Sequence, residues 1–335
     1  MRTEQHPPDA EHRALGEDNP SRQSTLPRRD DIMAAVRAGH QAALAAAGGK
    51  NADYIPFLAA VPSDLCGIAV VTRNGDVFAA GDSDYLFALE SISKVTTLAL
   101  VMEEVGPQGV QDKVGVDPTG LSFNSVLALE LHSGRPLSPL VNAGAISTVS
   151  LVSASSAEER WKKLIDIQAR LAGRPIELSE EVYRSEKMTN FHNRAIAWLL
   201  QCAGYAYCDP MEALDAYTRQ CSTLLTCLDL ATIGATLANG GVNPRTGERV
   251  LSVANVPHIL AQMMMEGLYT YSGDFAYTVG LPGKSGVGGG LLVVAPGKLA
   301  IAAFSPPLDS AGNSVRGLVG VTEVAKRLQL NLFRD

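Results

Sequence analysis

Two apolar segments near the C-terminal end, Gly290–Ala295 and Leu299–Phe304, are joined by a Pro296-Gly297 turn. A matching pair, 67–72 and 77–80, lies far upstream around Arg73-Asn-Gly-Asp76. Asn-Gly between two apolar runs is a strong hairpin signal. A lone two-stranded hairpin is marginal in water, so hairpins at both ends imply one shared sheet. The stretch between them, roughly 91–275, reads as helix instead, at 91–105, 157–172, 194–202, 211–221, 229–239 and 256–266. An Ala-rich helix is expected over 31–47, capped by Asp31 and stopped at Gly48-Gly49. Another is expected within 313–330, where Leu318, Val321, Val324, Ala325 and Leu328 recur at steps of three and four.

These elements imply an α/β chain of the α+β kind: an antiparallel sheet flanked by terminal helices, with an inserted all-helical domain. The expected division is a disordered tail over 1–28, a discontinuous sheet domain from 29–90 and 275–335, and a helical domain over 91–274. The tail carries many charges and Pro7, Pro8, Pro20 and Pro27, with too little apolar surface to offset ordering entropy. A site is expected in a cleft between the two layers.

Acidic residues outnumber basic ones, 35 to 28, for a net charge of −7. That balance excludes a broad basic surface, so neither nucleic acid nor a membrane is expected as partner. No apolar run is long enough to span a bilayer. The first thirty residues hold no continuous apolar stretch of the kind a secretory signal needs, and a cytoplasmic location is expected. The five cysteines are irregularly spaced, which fits reduced, mostly buried thiols. Cys221 and Cys227 are too far apart for a zinc pair and no His follows at ligand spacing, so neither a metal nor another cofactor is expected.

Gly283-Lys-Ser285 resembles the end of a phosphate-binding loop, but Thr278 stands where that loop needs glycine and a strand pattern follows. No Gly-x-Ser-x-Gly elbow occurs. The informative segment is Ser91-Ile-Ser-Lys94 at the head of a helix. Residues three apart share a helix face, so Ser91 and Lys94 can touch while Ser93 points elsewhere. A serine in the first turn feels the positive end of the helix dipole, and a desolvated lysine beside it can act as base. Lys284-Ser-Gly286 follows on a C-terminal strand and resembles the Lys-Thr/Ser-Gly element of serine β-lactamases and penicillin-binding proteins. Gly286 and Gly288 would let the Val287 amide approach a substrate as one arm of an oxyanion hole.

Longer motifs resemble one family specifically. They include Ala52-Asp-Tyr-Ile-Pro56, Phe87-Ala-Leu-Glu-Ser-Ile-Ser-Lys94, Pro118-Thr-Gly-Leu-Ser-Phe-Asn-Ser125 and Val141-Asn-Ala-Gly-Ala-Ile146. Asn193-Arg-Ala-Ile-Ala197, Thr236-Leu-Ala-Asn-Gly-Gly241, Val279-Gly-Leu-Pro-Gly-Lys-Ser-Gly-Val287 and Ser305-Pro-Pro-Leu-Asp309 follow in order. Over about 30–335 the chain resembles the glutaminases of the serine β-lactamase/transpeptidase-like fold, known in bacteria and as kidney-type enzymes in animals.

The resemblance implies hydrolysis of L-glutamine to L-glutamate and ammonia through a γ-glutamyl ester on Ser91. Lys94 would activate the serine and Tyr217 would share the proton transfer; read alone, Tyr217 is an ordinary packed aromatic. Tyr54, Asn142, Glu186, Asn193, Tyr269 and Val287 fall at the family's substrate-binding positions. Glu186 suits the substrate ammonium, and Asn142 and Asn193 its carboxylate. Glu90 departs from the animal enzymes, which carry Gln there, and adds a carboxylate near the substrate. The ankyrin repeats that follow the catalytic region in the animal homologues are not expected here. A homo-oligomer, dimer or tetramer, is the implied assembly. The rivals are a β-lactamase or peptidase of the same fold, and an amino-acid-binding protein without turnover.

Overall fold

The structure is a computed structural model and describes residues 25–334. The expected disordered tail falls almost wholly outside the described residues. In chain order the helices are α1 (Arg29–Ala45), α2 (Pro56–Ala59), α3 (Ser93–Lys113), α4 (Val126–Leu131), α5 (Asn142–Leu151), α6 (Ala157–Ala172) and α7 (Glu180–Thr189). They continue as α8 (Phe191–Ala203), α9 (Pro210–Cys221), α10 (Cys227–Ala238), α11 (Val256–Glu266), α12 (Ser272–Thr278) and α13 (Val315–Arg327). The strands are β1 (Gly67–Thr72), β2 (Val77–Gly81), β3 (Phe87–Ala88), β4 (Glu177–Leu178), β5 (Thr223–Leu225), β6 (Gly283–Ser285), β7 (Gly290–Ala295) and β8 (Leu299–Phe304).

Five strands form one sheet in the order β2-β1-β8-β7-β6, with every neighbour antiparallel. The two end hairpins meet at β1 and β8, where Val70 lies opposite Ile301. Strand residues point alternately to opposite faces, and here both faces are apolar. Ile68, Val70, Val293 and Ile301 join Ile32, Val36, Val321 and Val324 beneath α1 and α13. Ala69, Val71, Leu292, Ala300 and Phe304 join the larger core under the helices of the middle stretch. Helix α10 lies directly on this second face, and a Cβ at Gly234 would sit 2.6 Å from the side chains of Ala300 and Leu292.

Helices α1 and α13 cross at two glycines. A Cβ at Gly39 would lie 2.8 Å from the Gly320 carbonyl oxygen, so only glycine permits this approach. The expected Asp31 cap is corrected by the structure: α1 starts at Arg29, behind Arg28, with no side-chain cap. Asp31 lies in the first turn, where its charge suits the helix dipole, and pairs with Arg28 at 2.8 Å.

The middle stretch also holds a second sheet, β3-β5-β4, whose strands are two or three residues long. It joins residues 87–88, just before Ser91, to β5 at the end of α9. Helix α3 is interrupted at Gly106 (φ 73°) ahead of Pro107, close to the end at 105 that the sequence suggests.

Candidate active site

Ser91 lies in a 3-10 turn, Glu90–Ile92, that runs directly into α3. Leu89 and Ile92 are fully buried on either side and anchor the turn. Lys94, one turn further on, donates from Nζ to Ser91 Oγ at 2.6 Å. Both side chains are buried, and burial lowers the Lys94 pKa to about 8. Ser93 points away from this pair, accepting from Gln220 Nε2 at 3.2 Å.

Two tyrosines approach from different elements. Tyr217 on α9 places its ring 5.4 Å from Lys94 Nζ, while its hydroxyl donates to Asn142 Oδ1 at 3.2 Å. Tyr269 heads a short 3-10 turn, Tyr269–Tyr271, with φ 57°. Its hydroxyl lies beside Ser91 and donates to the Ser285 carbonyl at 3.3 Å. Tyr269, which the family resemblance places with the substrate, thus stands beside Ser91 as well. Burial raises the pKa of both phenols, so both are neutral donors.

Lys284 on β6 donates to the carbonyls of Gly267 at 2.9 Å and Ser285 at 2.6 Å. Its Nζ lies 4.3 Å from the centre of the Tyr269 ring. Burial, and then the neighbouring Lys94, push its pKa well down. Beyond β6 the chain runs against the segment that leads into Ser91. A Cβ at Gly286 would lie 2.9 Å from the Leu89 carbonyl oxygen, and one at Gly288 2.6 Å from that of Ala88. Val287 sits between them, buried, and its amide makes no backbone hydrogen bond among the described residues.

A cavity of about 200 Å³ is lined by Tyr54, Asn142, Glu186 and Asn193, four of the residues expected at the substrate. Asn142 Nδ2 donates to Asn193 Oδ1 at 3.0 Å. With Tyr217 bonded to Asn142 Oδ1, the second N–H of Asn142 and the amide nitrogen of Asn193 remain for a ligand carboxylate. Ser91, Lys94, Tyr217, Tyr269 and Val287 lie off the lining of this cavity. They connect to it through Tyr217–Asn142 and through a carboxyl pair, Glu90 with Glu186. Burial raises the pKa of Glu186, and burial with the Glu186 charge raises that of Glu90 further. A larger depression of about 470 Å³, around Phe57, Tyr85 and Met188, touches none of the residues near Ser91.

Several wall residues carry no sequence signal of their own. Phe123 packs its ring 4.7 Å from that of Tyr269, and His192 contacts the Asn124 carbonyl at 2.6 Å from the rim. Glu90 was visible only as a departure from a family pattern. Its burial and its contact with Glu186 come from the fold.

Comparison with known proteins bears on the whole chain. A family model described as Glutaminase matches residues 49–333. A Glutaminase 1 of Escherichia coli (strain K12) is 68% identical over 287 residues, covering 86% of this chain and 93% of the relative. A Glutaminase of Brucella canis is 66% identical over 304 residues, covering 91% and 96%. Among solved structures, a "Probable glutaminase ybaS" superposes with a TM-score of 0.91 at 64% identity, covering 92% of this chain and all of that one. The glutamate form of Mglu gives 0.84 at 35% identity, covering 91% of this chain and 70% of its own. The antiparallel sheet, with the terminal helices on one face and middle helices on the other, is the β-lactamase-like architecture of those glutaminases. On sequence and structure together, this chain belongs to the glutaminase family.

Proposed function

We propose that this glutaminase hydrolyses L-glutamine to L-glutamate and ammonia through a γ-glutamyl ester on Ser91. The observation that carries the reading is the 2.6 Å bond from Lys94 to Ser91, buried beside a cavity of amino-acid size. An unprotonated Lys94 takes the Ser91 proton as Oγ attacks the γ-carbon. The amides of Ser91 and Val287 would hold the oxyanion that forms.

The C–N bond then breaks, and ammonia leaves with the proton held by Lys94. Water attacks the ester, its proton returns to Lys94, and Ser91 is regenerated with glutamate released. By the family resemblance Tyr217 would share this proton transfer. The hydroxyl contacts favour giving Tyr269 the place at Ser91 and Tyr217 the support of Asn142. Glu186 would take the substrate ammonium, Asn142 and Asn193 its carboxylate, and Tyr54 would close the outer wall.

A homo-oligomer is part of the same reading. Phe191, Trp198 and Met188 offer exposed apolar surface for a second copy. Among the described residues no helix is long and apolar enough to cross a membrane.

The test is ammonia release from L-glutamine, alongside Ser91→Ala and hydroxylamine trapping. Release by the wild type, γ-glutamyl hydroxamate in the presence of hydroxylamine, and at least about a thousandfold loss in the variant are expected. A Ser91→Ala protein that retains turnover would overturn the assignment.

A further inference from the structure

Glu90 sits on the turn before α3 and Glu186 on α7, yet their carboxyl groups are in hydrogen-bonding contact. Both side chains are buried, at 3% and 8% exposure. Oε1 of each meets no donor among the described residues. Two carboxylates in contact away from water cannot both ionise at ordinary pH, so the pair retains one proton.

The backbone keeps Glu90 in this place. Its φ of 52° lies in the left-handed region, which a non-glycine residue occupies only when its surroundings hold it there. Gly286 and Gly288 lie against its other side. A Cβ on the first would be 3.3 Å from Glu90 Cβ, and one on the second 3.2 Å from its Cγ. Glycine at both positions leaves the Glu90 side chain the space it occupies.

We propose that Glu90 is a positioning residue: it shares a single proton with Glu186, so that the two carboxyls together present one negative charge to the α-ammonium of the bound amino acid. The inference rests on the glutamine reading above. Five other titratable groups face the pair: Lys94 on α3, Tyr54 before α2, Tyr217 and Cys221 on α9, and Tyr269 on its 3-10 turn. Desolvation and the neighbouring carboxyls keep the three phenols and the thiol neutral, which leaves Lys94 as the one charge of opposite sign beside the carboxyls.

A neutral acid offers Glu186 the same kind of donor as a carboxamide. The Glu at this position then differs from the Gln of the animal family members in one respect: it can lose its proton. Once it does, Glu186 loses its donor and gains a like charge at contact distance. The second charge also opposes the ligand carboxylate, so affinity falls as pH rises.

The experiment is calorimetric titration with L-glutamate between pH 6 and pH 10 on the full chain, for wild type, Glu90→Gln and Glu90→Ala. Above neutrality the wild-type Kd should rise about tenfold more than that of Glu90→Gln, the equivalent of one pKa unit. Loss of the ligand's own ammonium proton is common to both proteins and cancels in the comparison. Glu90→Ala should bind more weakly at every pH, and Glu90→Gln should recover most of that loss near neutrality. Ammonia release by Ser91→Ala tests the nucleophile separately, so the two ideas fail independently. Superimposable Kd–pH curves for wild type and Glu90→Gln, or equal affinities for the Gln and Ala variants at pH 7, would overturn the proposal.

Discussion

The Tyr217 hydroxyl donates to Asn142 Oδ1 at 3.2 Å, and Asn142 passes the polarity on to Asn193 at 3.0 Å. This chain orients two amides toward the cavity, whereas the Tyr269 hydroxyl lies beside Ser91. Removing each hydroxyl should therefore damage a different constant. Tyr217→Phe should raise KM for glutamine about tenfold, the worth of one lost hydrogen bond to a buried amide, with a smaller change in kcat. Tyr269→Phe should lower kcat by about a hundredfold or more with little change in KM. Steady-state kinetics of both variants checks the division. The reverse pattern would return the proton transfer to Tyr217.

Lys94 sets the pH dependence of the chemical step. The base must be unprotonated, and burial lowers its pKa to about 8. The value of kcat at saturating glutamine should then rise about tenfold per pH unit below 8 and level off above it. Because substrate is saturating, the effect of the Glu90–Glu186 pair on affinity does not enter. A kcat that is flat between pH 6 and pH 9 would remove Lys94 from the role of base. Lys94→Ala should lose about a thousandfold in kcat, since nucleophile and base act as a unit.

The end hairpins, the terminal helices and several middle helices were legible because each has a local signature. The Pro296-Gly297 and Asn74-Gly75 turns mark the hairpins, and the period of 318–328 marks α13. Ser91 with Lys94 was legible for the same reason, since three residues along one helix need no tertiary information. Helix α5 was not, because nearly all of it is buried and it has no polar face to set a period. Helix α7, which carries Glu186, is short and starts at a Ser179 cap within a polar stretch. The strands β3, β4 and β5 are too short for any alternation to show. The Glu90–Glu186 contact joins distant segments, and the buried state of two carboxyls follows from packing alone.

The crossing of α1 over α13 depends on the absence of side chains at Gly39 and Gly320. A Cβ at Gly39 would meet the Gly320 carbonyl oxygen at 2.8 Å and a Val324 methyl at 2.6 Å. Backbone cannot yield as a side-chain tip can, so the helices must separate over the sheet core. Gly39→Val should cost about 1–3 kcal/mol and lower the thermal midpoint by several degrees. Kinetic constants should hold at temperatures where the variant is folded, because the crossing is on the sheet face opposite α10. An unchanged midpoint in differential scanning calorimetry would show that the helices can shift at no cost.

Asp229 ties the middle helices together from the start of α10. It is 5% exposed at its side chain and takes a two-pronged bond from Arg174, at 2.7 Å and 2.6 Å. It also accepts from the Thr226 amide at 2.8 Å, completing a reciprocal cap. Burial acts to raise its pKa, but the Arg174 and Thr226 contacts outweigh it and hold the carboxyl below its ordinary value. A depressed folded pKa gives stability that is complete above the unfolded carboxylate range and is lost as pH falls through the folded value. Asp229→Ala should therefore cost about 1–3 kcal/mol at neutral pH. Its deficit against wild type should shrink in acid as wild-type Asp229 is itself protonated. Asp229→Asn keeps the acceptor for Thr226 while losing the charge, and should fall between the two at pH 7. Urea denaturation of the three proteins at pH 7 and pH 3 measures both effects, and a deficit that stays the same at the two pH values would remove the charge from the account.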